Sequence, residues 1–190
     1  MDLESKRLTL VGQFNGAPEV AVTDTNGTIV TTVAISGLTA GALTIAAQPD
    51  YPRTMQVFIT DANSSITGGT VTIVGIDQNG VGITDVIAVT GAGSFTGVKA
   101  FAKVTSATWA LVSGTVTNTS DTVAIGFGPA LGLPAAPGAT YKRLIKAAFD
   151  DADDLGTFSA TYGLYTPAGT MNGAKLVEVT FLFSVPIDVY

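Results

Sequence analysis

Apolar and polar residues alternate with a period of two along most of this chain. In 176–185 the odd positions Val177, Val179, Phe181, Phe183 and Val185 are all apolar, and Glu178, Thr180 and Ser184 stand between them. Such a segment is a strand with one buried face. Residues 54–60 repeat the pattern, with Met55, Val57 and Ile59 on one side, Thr54, Gln56 and Thr60 on the other, and Phe58 the exception. Further strands are predicted at 29–35, 71–76, 81–90 and 122–127, and at 98–112 with an internal irregularity. Asp24-Thr25-Asn26-Gly27 and Asp77-Gln78-Asn79-Gly80 each lie between β-branched runs. They predict two hairpins with type I′ turns, because Asn-Gly accepts the positive φ angles such turns demand. Asp24, Asn26, Gly27, Thr31 and Val33 recur 53 residues later as Asp77, Asn79, Gly80, Thr84 and Val86. Turn chemistry explains the first three matches without an internal duplication.

The alternation fails in two places. From Gly128 to Gly138, three prolines (Pro129, Pro134 and Pro137) remove backbone donors and argue against a central strand, so 128–140 is expected to be a Pro/Gly-rich crossover loop or hinge. In the second place Tyr141, Leu144, Ile145, Ala148 and Phe149 follow helical spacing, with Thr140 as a cap. The charges oppose a helix. Lys142, Arg143 and Lys146 would sit near its positive end and Asp150, Asp151, Asp153 and Asp154 near its negative end, each costing about 0.3–1 kcal/mol. A strand is the better reading. The expected fold is all-β: an antiparallel β-sandwich or barrel-like domain with long loops and an extended N-terminal arm. Its expected divisions are the arm at 1–18, a main β-sandwich region at 19–127, the loop, and a C-terminal β-hairpin region at 141–190 packed on the same core.

Composition narrows the function. A domain of this size buries roughly 70% of its unfolded surface, enough for a core without metals or disulfides. Charged residues make up 13% of the 190, which fits either a well-buried interior in a monomer or apolar area covered by neighbouring subunits; the second is the expectation, a homo-oligomer. There is no run of about 18 apolar residues of the kind a spanning helix needs. Met1-Asp2-Leu3-Glu4-Ser5-Lys6-Arg7 lacks the apolar stretch of a signal peptide, so Sec export is not expected. The net charge is −6, and Lys142, Arg143 and Lys146 form the one local basic group. Nucleic-acid binding is therefore not expected, because phosphate contacts need clustered Lys and Arg.

Candidate chemistry is sparse. With no His and no Cys, the chain cannot build a Ser-His-Asp or Cys-His triad or the usual His/Cys zinc site. Carboxylate pairs of the glycosidase type stay open, because their separation is not readable from sequence. Asp24, Asp61, Asp77 and Asp121 fall in or beside turns, where Asp commonly accepts bonds from nearby backbone amides. Asp150, Asp151, Asp153 and Asp154 are the one weak metal candidate. Counted from Asp150 or Asp151, however, the sixth and twelfth positions do not give the Gly and Glu of a calcium loop, and a solvated hairpin tip is the expectation. Gly91-Ala92-Gly93-Ser94-Phe95-Thr96-Gly97 lacks phosphate-loop spacing. Asn26-Gly27-Thr28, Asn63-Ser64-Ser65 and Asn118-Thr119-Ser120 match the glycosylation sequon but read as turn composition. Phe101, Trp109 and Leu111 read as core rather than as a sugar-stacking platform.

Two stretches carry a resemblance. Gln48-Pro49-Asp50-Tyr51-Pro52-Arg53-Thr54-Met55-Gln56-Val57 continues through Ile59-Thr60-Asp61-Ala62-Asn63, Gly68-Gly69-Thr70-Val71-Thr72-Ile73 and Gly75-Ile76-Asp77-Gln78-Asn79-Gly80. It resembles β-domains of small structural proteins of tailed bacteriophages. The second comprises Gly126-Phe127-Gly128 and Leu131-Gly132-Leu133-Pro134, with Thr166-Pro167-Ala168 and Asn172-Gly173 further on. It is similar to segments of head-decoration and other minor head proteins. The resemblance implies a non-enzymatic β-sandwich protein of the virion, assembled in the bacterial host cytoplasm, that decorates or cements the capsid as an oligomer. Its implied partners are the phage major capsid protein or other virion proteins, not nucleic acid or membrane, and no cofactor is implied. A tail, neck or baseplate component is the alternative, and a carbohydrate-binding adhesive β-module a further one. No functional residues carry over.

Overall fold

The computed structural model describes residues 7–15, 27–135, 139–171 and 176–186, with the backbone alone described for 7–15 and 186. Among these the chain is all-β and antiparallel, as the alternation predicts, and forms three sheets. One sheet contains β3 (Ala40–Leu43), β8 (Lys103–Gly114), β5 (Ile66–Ile76) and β6 (Gly82–Val89), side by side in that order. A second runs β12 (Thr157–Ser159), β13 (Leu164–Thr166), β9 (Thr122–Gly132), β4 (Arg53–Thr60), β7 (Gly93–Phe101), with β2 (Val30–Ala34) also paired to β9. The third runs β1 (Arg7–Asn15), β14 (Val177–Pro186), β10 (Thr140–Phe149), β11 (Ala152–Asp153).

The first two sheets close on one core. Val71, Ile73, Ile87, Val104 and Trp109 from the first meet Met55, Val57, Ile59, Phe101, Val123, Ile125 and Phe127 from the second. The irregularity expected within 98–112 is a corner. At Ala102, whose N–H donates to the Ile76 carbonyl (2.9 Å), the chain leaves β7 in one sheet and enters β8 in the other.

The C-terminal region does not share this core. Leu131, Leu133, Ala147, Phe149, Tyr165, Val177, Val179, Phe181 and Phe183 form a second cluster. The reason lies in β9. It continues past Phe127 through Gly128 and Pro129 to Gly132, so Val123 and Ile125 serve the first core and Leu131 the second. The expected loop thus begins after residue 132, and Pro129 lies inside a central strand. It is tolerated because the ladder is interrupted there: Arg53 pairs with Leu131 and Met55 with Phe127, leaving Thr54 opposite a bulge of Gly128, Pro129 and Ala130. At a bulge the missing donor breaks no ladder bond. The buried Thr54 hydroxyl accepts from the Ala130 N–H (3.2 Å), and Arg53 Nε donates to the Gly128 carbonyl (2.9 Å).

Bulges also explain the helix-like spacing of 141–149. Two register shifts in β10 each insert one residue, so Tyr141, Leu144 and Ala147, three apart, pair with Phe183, Phe181 and Val179, two apart. Tyr141 and Phe181 pack with ring centroids 5.7 Å apart. The N-terminal arm is likewise a strand rather than a free extension: β1 pairs with β14 from Arg7↔Pro186 to Asn15↔Glu178. It completes the ladder along the edge of β14 not taken by β10.

Candidate functional site

The predicted turn carboxylates fold inward onto backbone amides. Asp61 accepts from the Ser65 (3.1 Å) and Ile66 (3.0 Å) N–H groups, Asp77 from Asn79 (2.8 Å) and Val81 (2.9 Å), and Asp121 from Ala62 (3.1 Å) and Asn118 (3.2 Å). Asp24 lies outside the described residues, and so does most of the first predicted hairpin turn. The second is not type I′. Gly80 has φ +76° while Asn79 is not left-handed, and the Gly80 N–H donates to the Asp77 carbonyl (3.1 Å). This is a three-residue loop with a glycine bulge, which the Asp77 side chain stabilises. Two sequons also act as turns: Asn118 Oδ1 accepts from the Ser120 N–H (2.9 Å), and Asn63 Oδ1 from the Ser65 hydroxyl (2.8 Å).

The acidic tip disperses its carboxylates. Asp150 and Asp151, at φ +56° and +63°, make the two-residue turn between β10 and β11. Asp153 faces Lys146 at 3.8 Å in solvent. Asp154 turns inward, accepting from the Tyr165 hydroxyl (2.5 Å) and the Ala168 N–H (3.2 Å). Burial first, and then the Asp154 carboxylate, pushes the Tyr165 hydroxyl well above the usual tyrosine range, so it stays a donor. Among the described residues no three acidic side chains converge as metal ligands. Left-handed non-glycine residues cost roughly 1–2 kcal/mol each. Asp151→Gly should raise stability by no more than about 1 kcal/mol in urea titrations, because relief of the left-handed backbone is partly offset by the added freedom of the unfolded chain, and calcium should leave the melting temperature of the parent protein unchanged. A calcium-dependent rise would mean that these carboxylates gather on an ion.

Asp85 is a buried carboxylate that the turn rule does not find. It lies on β6 in phase with the buried Ile87 and Val89, and Oδ2 accepts from the Val98 (2.8 Å) and Lys99 (3.0 Å) N–H groups of β7. It thereby joins the edges of two sheets. An acid at an apolar phase of the alternation was the signal for it. Beside it Asp77, Gln78, Ile83, Lys99, Thr161 and Tyr162 line an open cleft of about 200 Å³. Two of its polar groups are engaged by the fold, Lys99 Nζ donating to the Thr84 carbonyl (2.6 Å) and Gln78 Nε2 to that of Leu133 (2.7 Å), while Gln78 Oε1 is buried without a hydrogen-bond partner among the described residues. Trp109 is core, 1% exposed, and donates to the Leu38 carbonyl (3.1 Å).

The most distinctive surface is the outer face of the β3–β8–β5–β6 sheet. Cross-strand pairing lines up Ala40, Ala110, Thr70 and Ala88 in one row, and Ala42, Thr108, Thr72 and Val86 in the next. A third row sets Val74 between Ser106 and Thr84. No charged side chain stands in these rows, and Val86 at their edge is 59% exposed. The face arises because the inward phase of these strands takes most of the large apolar residues, such as Val71, Ile73, Ile87, Val104 and Trp109, leaving mainly Ala, Thr and Ser with Val74 and Val86 outward. It is an uncharged patch of Ala, Val, Thr and Ser on the order of 400 Å², from strand spacings of ~4.8 Å and ~6.8 Å between like-facing residues. No family model, no curated protein and no solved structure matches this chain.

Proposed function

We propose that this chain is a non-enzymatic structural protein of a tailed-phage particle that decorates or cements the capsid surface as an oligomer. The observation that supports it is the set of uncharged rows on the outer face of the β3–β8–β5–β6 sheet, which end where Lys103 pairs with Ile76 in the next row. Small uncharged side chains in straight rows can lie against another protein without desolvating a charge, which removes the main cost of such a contact. A patch on the order of 400 Å² is about half of what each partner contributes to a stable interface. One copy alone binds weakly. Several copies linked in an oligomer bind a repeating lattice more tightly by about 10²–10⁴, because every contact after the first is intramolecular. The adhesive alternative needs an exposed aromatic platform; Trp109 is buried, and Tyr162 at the cleft is a single exposed ring rather than a platform among the described residues.

The test adds purified protein to heads stripped of it and measures co-sedimentation and the melting temperature of the shell. Co-sedimentation with a raised melting temperature is expected, since a ligand that binds only the folded shell stabilises it. Thr72→Asp, which puts a charge at the centre of the patch, should weaken binding by tenfold or more while leaving the far-ultraviolet spectrum unchanged, with the affinity of the parent protein nearly independent of salt. Attachment to isolated tails but not heads would replace this reading with the tail-component alternative. Binding untouched by Thr72→Asp would remove the sheet face from the argument.

A further inference from the structure

From the pairing of β1 we infer that this strand is exchanged between copies, β1 of one molecule completing the third sheet of its neighbour. β14 is the strand with which β1 pairs, over nine consecutive residues and in uninterrupted register. The other face of that partnership is essential. β14 carries Val177, Val179, Phe181 and Phe183 of the second core and has β10 on its opposite side. Without β1 it would present a long apolar strand with an open edge, the arrangement that most readily recruits another strand.

Nothing in the register depends on which molecule supplies β1. The edge strands β6, β7, β11 and β12 are joined at both ends to described strands by connections of about five residues or fewer, and so are fixed to their own copy, while β3 is tied to β2 by a similarly short connection and to β4 through 44–52. β1 is the first described strand and is joined to the next one through 16–29. Of these, the eleven residues 16–26 reach at most about 36–40 Å when extended, far enough to cross a subunit boundary. Exchange keeps every β1–β14 contact while tying the copies together, so it costs little beyond association itself. At the high local concentration of an oligomer the neighbour's β14 competes on equal terms with the molecule's own. The inference shares with the proposed function the premise that copies of this chain associate, but it holds whether or not they do so on a particle.

Gln13 and Thr180 are paired across the two strands, at a separation suited to a disulfide. The test makes Gln13→Cys and Thr180→Cys in separate chains, unfolds and refolds them together so that slow exchange is no obstacle, and oxidises the mixture. Gln13→Cys paired with Val112→Cys is the control, since Val112 is exposed on β8. Exchange predicts a disulfide-linked heterodimer exceeding the control by roughly tenfold or more, and covalent oligomers from the chain carrying both substitutions. A doubly substituted chain that runs only as an internally bridged monomer would overturn the inference. So would a heterodimer yield no greater than the control.

Discussion

Phe181→Ala should cost about 3–5 kcal/mol and should melt the second core ahead of the first. Phe181 is fully buried and sits between the rings of Tyr141 and Phe183, at centroid distances of 5.7 and 5.9 Å. Truncation removes the ring and leaves a cavity that stiff neighbouring strands cannot fill. The two-core arrangement makes the outcome specific. Trp109, the single tryptophan, belongs to the first core, so its fluorescence follows that unit, whereas far-ultraviolet circular dichroism follows both. In urea the dichroism midpoint should fall further than the fluorescence midpoint. Coincident curves would show that the cores unfold as one, and a loss below about 1 kcal/mol would mean that Phe181 is not enclosed.

Asp50→Ala should cost about 3 kcal/mol, far more than loss of an ordinary surface acid. Its carboxylate accepts from Arg53 Nη1 through both oxygens, at 3.2 and 3.1 Å. The guanidinium is itself fully buried, 5.0 Å from the centroid of the Phe127 ring. Removing Asp50 takes the countercharge from a buried cation at the point where β9 passes from one core to the other. Asp153→Ala is the internal comparison: its pair with Lys146 is 3.8 Å long with both side chains largely in solvent, and its loss should be worth less than about 0.5 kcal/mol. Chemical denaturation of the two variants side by side checks both, and similar costs would remove Asp50 from any special role.

Local pattern disclosed much of this fold and long-range pairing the rest. β4 and β14 were legible because alternation over eight to ten residues has one physical solution when one face is buried. The inward roles of Asp61, Asp77 and Asp121 were legible for the same local reason. β1 was overlooked although Leu8, Leu10 and Phe14 keep the same period; its partner lies at the far end of the chain, and no local signal names it. The proline rule failed at Pro129 because it concerns an intact ladder, and whether a ladder is intact depends on the partner strand. Tyr141, Leu144 and Ala147 imitate a helix because two bulges stretch a period of two into three. The rows of the outer face were hidden for a related reason. Thr72 faces outward beside Val86 and Thr108, and that alignment is a property of register, which composition does not encode.

The passage of β9 through both cores also decides how the molecule carries mechanical load. A pull on the C-terminal sheets travels along a backbone that is paired with β4 at seven positions, Arg53 and Met55 through Thr60. Tension along that direction slides one strand past the other, so the pairs resist together, whereas a perpendicular tug would open them one at a time. The β1–β14 ladder has the opposite character when its Arg7 and Pro186 ends are drawn apart, since these stand side by side and peel in sequence. Stretched from Arg7 and Pro186, the protein should yield first at that seam, with the shear-loaded joint between the cores giving way last.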